Sequence, residues 1–304
     1  MTFHAEHPVI PAEPLDPRDP EQSTGTAHTA QKGRNRPQVG IMVALTALVI
    51  VAFFPYLFML LTSFKSKEQF AEQYWLPAWP LALDNYGKAF EQVAPYLFMT
   101  FLVAAVSVVA IIFLSLLSGY VLARFTFPGR QFFFLMVVAL LMVPNIAALI
   151  PRFALARDLG MLNTFPVLVI PYVAGGLVLG TVLMKTFIEG IPQELFDAAR
   201  VDGAGQGRLF FSIMLPLSFP VIGTVALINL IAIWNDFFWP LLTITENSLK
   251  TISVGLLFFQ GQSGTDFGAM FAGYMLASLP LLLLFTFFSR YFLAGVQGGL
   301  PGSH

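Results

Sequence analysis

Residues 191–220 read IPQELFDAARVDGAGQGRLFFSIMLPLSFP, a half-polar segment set between two of the most apolar stretches of the chain. Seven of its first eighteen positions carry charged or amide side chains. A chain that only had to turn round at a membrane surface could do so in about five residues. The pattern instead reads as helix, break, helix. Pro192 suits a first helical turn, where its missing N–H is no loss, and Glu194 complements the positive end of the helix dipole. Leu195, Ala198, Ala199 and Asp202 recur at helical spacing and form one face with two small residues at its centre. Gly203 then falls where a helix stops, because glycine enters the left-handed region without a Cβ penalty. The following GRLFFSIML is amphipathic and suits an interfacial helix leading to Pro216. The first piece does not suit an anionic leaflet, which attracts basic helices. Between residues 189 and 208 the acids Glu189, Glu194, Asp197 and Asp202 outnumber Arg200 and Arg208. A protein partner explains it better.

Composition fixes the environment. The chain is 57% hydrophobic and 11% charged, with a mean hydropathy of +0.75. Soluble domains are nearer one quarter charged, so this chain belongs in lipid. It has no cysteine for disulfides or thiolate metal sites. Its four histidines all lie in the terminal tails, which excludes a histidine metal or proton-relay cluster. A net charge of −1 predicts no nucleic-acid partner.

Residues 1–37 are rich in Pro, acids, Ser and Thr and are expected to be a disordered tail. A membrane domain is expected over 38–298, with a short tail at 299–304. Six apolar stretches within it are long enough to cross about 30 Å of hydrocarbon: 41–63, 96–122, 132–151, 165–184, 219–244 and 272–293. A moderately long polar loop joins the first two. Basic residues near the span ends favour cytoplasmic termini, nine on that side against six on the other. That orientation puts the opening segment in the cytoplasm. Pro144, Pro171, Gly175, Gly176, Gly180 and Pro280 lie inside spans, where small residues permit close helix packing.

The opening segment resembles the EAA loop of ABC importer permeases, whose pattern is E-A-A, two residues, D-G-A, then a hydrophobic run to L-P. Those positions are Asp197, Ala198 and Ala199, then Asp202, Gly203 and Ala204, then Leu215 and Pro216. Asp197 stands where the family has glutamate, with the same charge on a shorter side chain. FPYLFMLLTSFKSKEQF, LDNYGKAF, SGYVLARFTFPGR, MVPNIAALIPRFALARDLGMLNT, WNDFFWPLL and SRYFLAGVQGG are similar to the carbohydrate-uptake branch. The likeness covers about residues 41–298 and is to the smaller, maltose G-type permease subunit. It implies an all-α membrane protein, a type I importer bundle of six transmembrane helices, with a cytoplasmic coupling helix inside residues 189–216. It implies a bacterial cell-membrane permease that moves a di- or oligosaccharide inward. The partners implied are a second permease subunit, two copies of an ABC ATPase and an extracellular or periplasmic sugar-binding protein. Glu194, Asp197, Ala198, Ala199, Asp202 and Gly203 are the positions implied to couple to the ATPase. No cofactor is implied for this chain, since ATP and magnesium are held by the ATPase. The chain contains no phosphate-binding G-x-x-x-x-G-K-[ST] motif and no nucleophile–base or metal constellation, so it is not expected to be an enzyme.

Asp236 is the one acid well inside an apolar stretch, and an intramembrane acid is a functional candidate. Seventeen residues into the expected fifth span it lies close to the outer face, where interfacial water or an arginine could equally account for it. Trp234, Asn235, Phe238 and Trp239 surround it with rings and an amide, the groups that bind sugars, although tryptophan at an interface also serves as an anchor. An ion-gradient-coupled secondary carrier is the competing class. Such carriers need ionisable groups or broken helices near the midplane, and no charged residue lies near the middle of an expected span. The loop over 245–271 fits either a finger reaching the binding protein or a plain connector.

Overall fold

The computed structural model describes residues 35–297 except residue 265, with side chains described for residues 39–286 except 262 and 265. Of the tail expected at 1–37, residues 35–37 instead begin helix α1; residues 1–34 and the tail expected at 299–304 lie outside the described residues. The chain divides into two compact units, residues 1–53 and 54–304. The described part of the first is the leading portion of helix α1 (Asn35–Ser63), whose large apolar side chains are exposed.

The second unit takes up the end of α1 and continues through α2 (Lys67–Glu72), α3 (Asp84–Arg124), α4 (Arg130–Leu140), α5 (Leu149–Asp158), α6 (Phe165–Glu189), α7 (Gln193–Val201) and α8 (Gln206–Leu209). A π-helical turn (Phe210–Met214) leads to α9 (Leu215–Leu217), α10 (Phe219–Asn235), α11 (Phe238–Thr243), α12 (Ile252–Ser263) and α13 (Phe267–Gln297). The described residues contain no strand. Lipid offers no hydrogen-bond partner to an open backbone, and helices satisfy theirs internally.

Four helices among the described residues are long and apolar enough to cross a bilayer: Val39–Ser63, Asp84–Arg124, Phe165–Glu189 and Phe267–Thr286. A fifth span results if Gln206–Leu217 and Phe219–Asn235, bent by 69°, act together. The expectation of six unbroken helices therefore changes at two places. The stretch 132–151 is not one helix. Its first part, α4, has 11 residues and so extends only about 16 Å. It stops at Leu140, four residues before Pro144, where a proline ring would strike the carbonyl of a continuing helix. The stretch 219–244 breaks at Asp236, likewise four residues before Pro240.

The centre of the unit is the close packing of α3 on α6. A Cβ at Gly119 would lie 2.7 Å from the Cβ of Met184, and one at Gly180 would collide with Ser115. Ser118 and Thr181 hydroxyls meet across this seam at 2.7 Å. Small residues and interhelical hydrogen bonds are what hold helices together where the hydrophobic effect is absent. On one end of the seam, Tyr120, Met184 and Ile188 form a core with Phe196, Leu209, Phe210 and Met214, which fixes α7 and α8 to it. The connection over 245–271 is partly helical. Its α12 packs back onto α3, where the Ile252 N–H donates to Thr100 Oγ1 at 2.6 Å and Phe259 is buried.

Gly180→Val should lower the thermal unfolding midpoint in detergent, by an amount corresponding to about 1–3 kcal/mol of overpacking. Gly175→Ala, where an added Cβ meets nothing within 4 Å, should not. Equal midpoints for the two variants would show that the α3–α6 seam is not closely packed.

Candidate functional site

The segment 191–220 folds as helix, break, helix. Helix α7 begins one residue later than the sequence suggests: Pro192 is its N-cap, in an extended conformation, and Gln193 is its first residue. Gly203 has φ +80°. The Ala204 N–H donates to the Ala199 carbonyl at 2.9 Å and the Gly203 N–H to the Arg200 carbonyl at 3.0 Å. This reciprocal pair is the Schellman arrangement that a left-handed glycine permits.

The helix is held by one aromatic anchor. Phe196 is 1% exposed and enters the core between α3 and α6. The Arg124 guanidinium, at the end of α3, lies 4.2 Å from the Phe196 ring centroid. Its Nη2 donates to the carbonyls of Ile188 and Ile191, both at 2.6 Å, and its Nη1 to Gln193 Oε1 at 2.8 Å. Arg124 thus binds carbonyls at and just beyond the end of α6 and ties the start of α7 to α3. Beside it, Glu189 accepts from Arg130 at 2.9 Å and Lys185 at 2.7 Å, and the Tyr120 hydroxyl donates to Gln206 Oε1 at 3.2 Å.

With Phe196 inward, the opposite face of α7 is exposed. It presents Glu194, Leu195, Asp197, Ala198, Val201 and Asp202. Asp197 is partly committed, accepting from Arg200 at 2.7 Å and Gln193 at 3.1 Å. Of the six positions singled out by the resemblance, five are exposed. Ala199 is half-buried and packs on the core instead, because it lies one turn beyond Phe196. An added Cβ at Gly203 would meet nothing within 4 Å, so only the backbone conformation demands glycine there. Phe196, Arg124 and Tyr120 were not singled out by the sequence reading. The aromatic residue within an otherwise polar helix was the available signal.

A second feature lies elsewhere in the unit, a cavity of about 560 Å³. Its walls come from α6, α10 and the two broken stretches, 140–152 and 235–239. Its polar lining is Asn145, Arg152, Tyr172, Asn229, Asn235 and Asp236. Asn235, Asp236 and Phe238 are therefore brought together as the sequence suggests. Trp234 is not: it is buried with Ala89, Val93, Ile252 and Phe259, off the face of α10 that lines the cavity. Trp239 takes the place of an aromatic wall. It is 1% exposed, its Nε1 donates to the Val167 carbonyl at 2.8 Å, and the Arg152 guanidinium lies 4.5 Å from its ring centroid. Burial of both rings removes them as interfacial anchors.

Asp236 has a structural task. Its Oδ1 accepts the Trp239 N–H at 3.3 Å, capping the start of α11. Much of the remaining polar lining is uncommitted among the described residues. Arg152 Nε is buried without a hydrogen-bond partner, and the Tyr172 hydroxyl, buried without a partner of good geometry, lies within reach of the Asp236 carboxylate and near Arg152. Asn229 and Asn235 each donate one side-chain N–H, to the carbonyls of Val225 and Ile231, and keep their oxygens as acceptors. Guanidinium and phenol donors thus face carboxylate and amide acceptors across one space.

The family model for the inner membrane component of binding-protein-dependent transport systems matches residues 112–297. The arabinooligosaccharides transport system permease protein AraQ of Halalkalibacterium halodurans is 33% identical over 86% of this chain and 96% of its own length. The diacetylchitobiose uptake system permease protein NgcG of Streptomyces coelicolor is 31% identical over 85% and 86%. The trehalose/maltose transport system permease protein MalG of Thermococcus litoralis is 28% identical over 85% and 95%. A chain from the crystal structure of a bacterial ABC transporter that imports the acidic polysaccharide alginate shares the fold. Its TM-score is 0.71 at 21% identity, over 85% of this chain and 98% of that one.

The Arg124 contacts predict a local effect. A nitroxide at Leu195→Cys should report a rigid helix in the parental background and a more mobile one in Arg124→Met, with Arg124→Lys between them. Identical spectra in all three would show that Phe196 alone holds α7.

Proposed function

This chain belongs to the family of binding-protein-dependent transport system inner membrane components, and from that membership we propose that its cavity is a passage for a sugar. One observation carries the reading: the Arg152 and Tyr172 donors and acceptor oxygens on Asn229, Asn235 and Asp236 share a space lined by Phe238 and Trp239. Every sugar hydroxyl both donates and accepts, and each ring also offers a C–H face to an aromatic wall. A buried unpaired donor costs about 1–3 kcal/mol, which a hydroxyl-rich ligand would relieve. The relatives named for arabinooligosaccharides, diacetylchitobiose and trehalose/maltose support a di- or oligosaccharide.

The energy enters at α7. The exposed face of Glu194, Leu195, Asp197, Ala198 and Asp202 docks into a separate ABC ATPase, and closure of an ATPase pair around ATP and magnesium moves α7. Arg124 and Phe196 pass that movement to α3 and α6. A second permease subunit completes the passage, and an extracellular or periplasmic sugar-binding protein delivers the cargo inward. The chain lies in the bacterial cell membrane with both termini and residues 185–218 on the cytoplasmic side. The solved complex of the alginate importer with its oligosaccharide-bound periplasmic protein supports that manner of delivery.

Two experiments test the two halves. Arg152→Gln and Asp236→Asn should each reduce sugar uptake in proteoliposomes by about tenfold, near 1.4 kcal/mol, with ATPase association unchanged. Parental uptake in both would remove the cavity from the path. Gly203→Val, which puts a β-branched residue at positive φ, and Leu195→Arg should reduce co-purification of the ATPase and ATP-dependent uptake together. Uptake that persists without ATP and collapses with the ion gradient would favour a secondary carrier instead.

A further inference from the structure

Within the polar link between the first two expected spans, residues 73–83, QYWLPAWPLAL, contain no charged side chain. Their large side chains are turned outward. Trp79 is 82% exposed, Leu76 68% and Trp75 64%, and Tyr74, Leu81 and Leu83 are also exposed. The segment is nevertheless fixed at both ends. The buried Lys65 ammonium donates to the carbonyls of Gln73 at 2.7 Å and Tyr74 at 3.0 Å. Gln69 Nε2 donates to the Pro80 carbonyl at 3.0 Å, and the Ala82 N–H to that of Phe64 at 2.8 Å. Burial holds the Lys65 pKa below the usual lysine value; the two carbonyls it meets carry partial negative charge, so it serves as a cationic staple.

What the segment lies against decides what covers it. The Trp75 ring sits 6.2 Å from Phe54 and 5.5 Å from Phe58, and Tyr74 5.2 Å from Phe58, centroid to centroid. Phe54 is nine residues before the end of α1 at Ser63, about 14 Å along the helix axis. Phe54 and Leu57, on this part of α1, are themselves exposed, within a stretch long and apolar enough to cross a bilayer. The connection therefore does not stand off the end of the span but folds back along an exposed, apolar side of it. Tryptophan and tyrosine are enriched at the level where headgroups meet acyl chains, because one end of the ring system is apolar and the other can hydrogen-bond.

We propose that residues 74–83 form a wedge seated in the membrane interface, with Trp75, Leu76 and Trp79 in contact with lipid. A charge-free, outward-facing aromatic surface, continuous with a bilayer-facing helix, fits the acyl–headgroup boundary. The staple formed by Lys65 keeps it from swinging into water, and so fixes the depth at which the end of α1 sits.

The chain has no cysteine, so a single nitroxide can be placed at Leu76→Cys or Trp79→Cys without altering other residues. Lys67→Cys, on the exposed start of α2, is the aqueous reference. The labelled chains are studied in the complete importer in liposomes of bacterial lipid, by accessibility to oxygen, which partitions into lipid, and to a water-soluble nickel complex. The oxygen-to-nickel accessibility ratio at positions 76 and 79 should exceed that at 67 severalfold. Ratios equal to the reference would place the segment in water and overturn the proposal. Exclusion of both reagents at both positions would overturn it equally, because a protein partner would then be the cover.

Discussion

An open backbone amide or carbonyl has no partner in hydrocarbon, and this constraint organises the described structure. Each unsatisfied group costs several kcal/mol in lipid, so a helix can be interrupted only where its ends face protein or a wet space. The chain interrupts two of its apolar stretches, after Leu140 and after Asn235. Both interruptions open onto the same cavity. The polar groups of Asn145, Arg152, Asn235 and Asp236 line it beside the breaks. The cavity and the helix breaks are thus not independent features: the breaks supply its non-helical walls.

Against this loosened region stands a rigid one. The α3–α6 seam excludes side chains at Gly119 and Gly180, and interiors packed so closely transmit displacement rather than absorb it. Arg124 extends the seam to α7 through three hydrogen bonds and one ring contact. Charge-assisted bonds of this kind are about twice as strong as neutral ones, and each holds a backbone or side-chain group of a different turn. A push on α7 has a stiff path into the bundle, while the cavity walls contain the breaks at which the bundle can change shape.

Much of this was legible in the sequence because it depends on local rules. Charge and hydropathy placed the chain in lipid. Gly203 ended a helix because only glycine takes positive φ without penalty, and its spacing from the D-A-A string identified the exposed face of α7. The positions of Asn235, Asp236 and Phe238 near one another followed from their adjacency. Other features were not legible, for reasons specific to each. Ala199 shares a periodic face with Ala198, yet Phe196 decides which side of the helix goes inward. Trp234 and Trp239 differ in sequence only by surroundings, and the bend at Asp236 sends one into a core and the other to the cavity wall.

Proline shows the division most clearly. Pro55, Pro95, Pro171 and Pro280 all lie inside continuous helices, whereas Pro144 and Pro240 follow breaks. Residue type alone cannot separate the two groups, since the lost N–H and the ring clash are the same in each. At Pro240 the difference is tertiary: Asp236 caps the new helix start, and the freed groups open onto a cavity. The sequence by itself determined the solvent, the helical class and the helix–break–helix form of residues 191–220, because these follow from composition and short-range geometry. Only the tertiary structure decided which spans break and which rings line the cavity, because both depend on what neighbouring helices offer to the freed backbone.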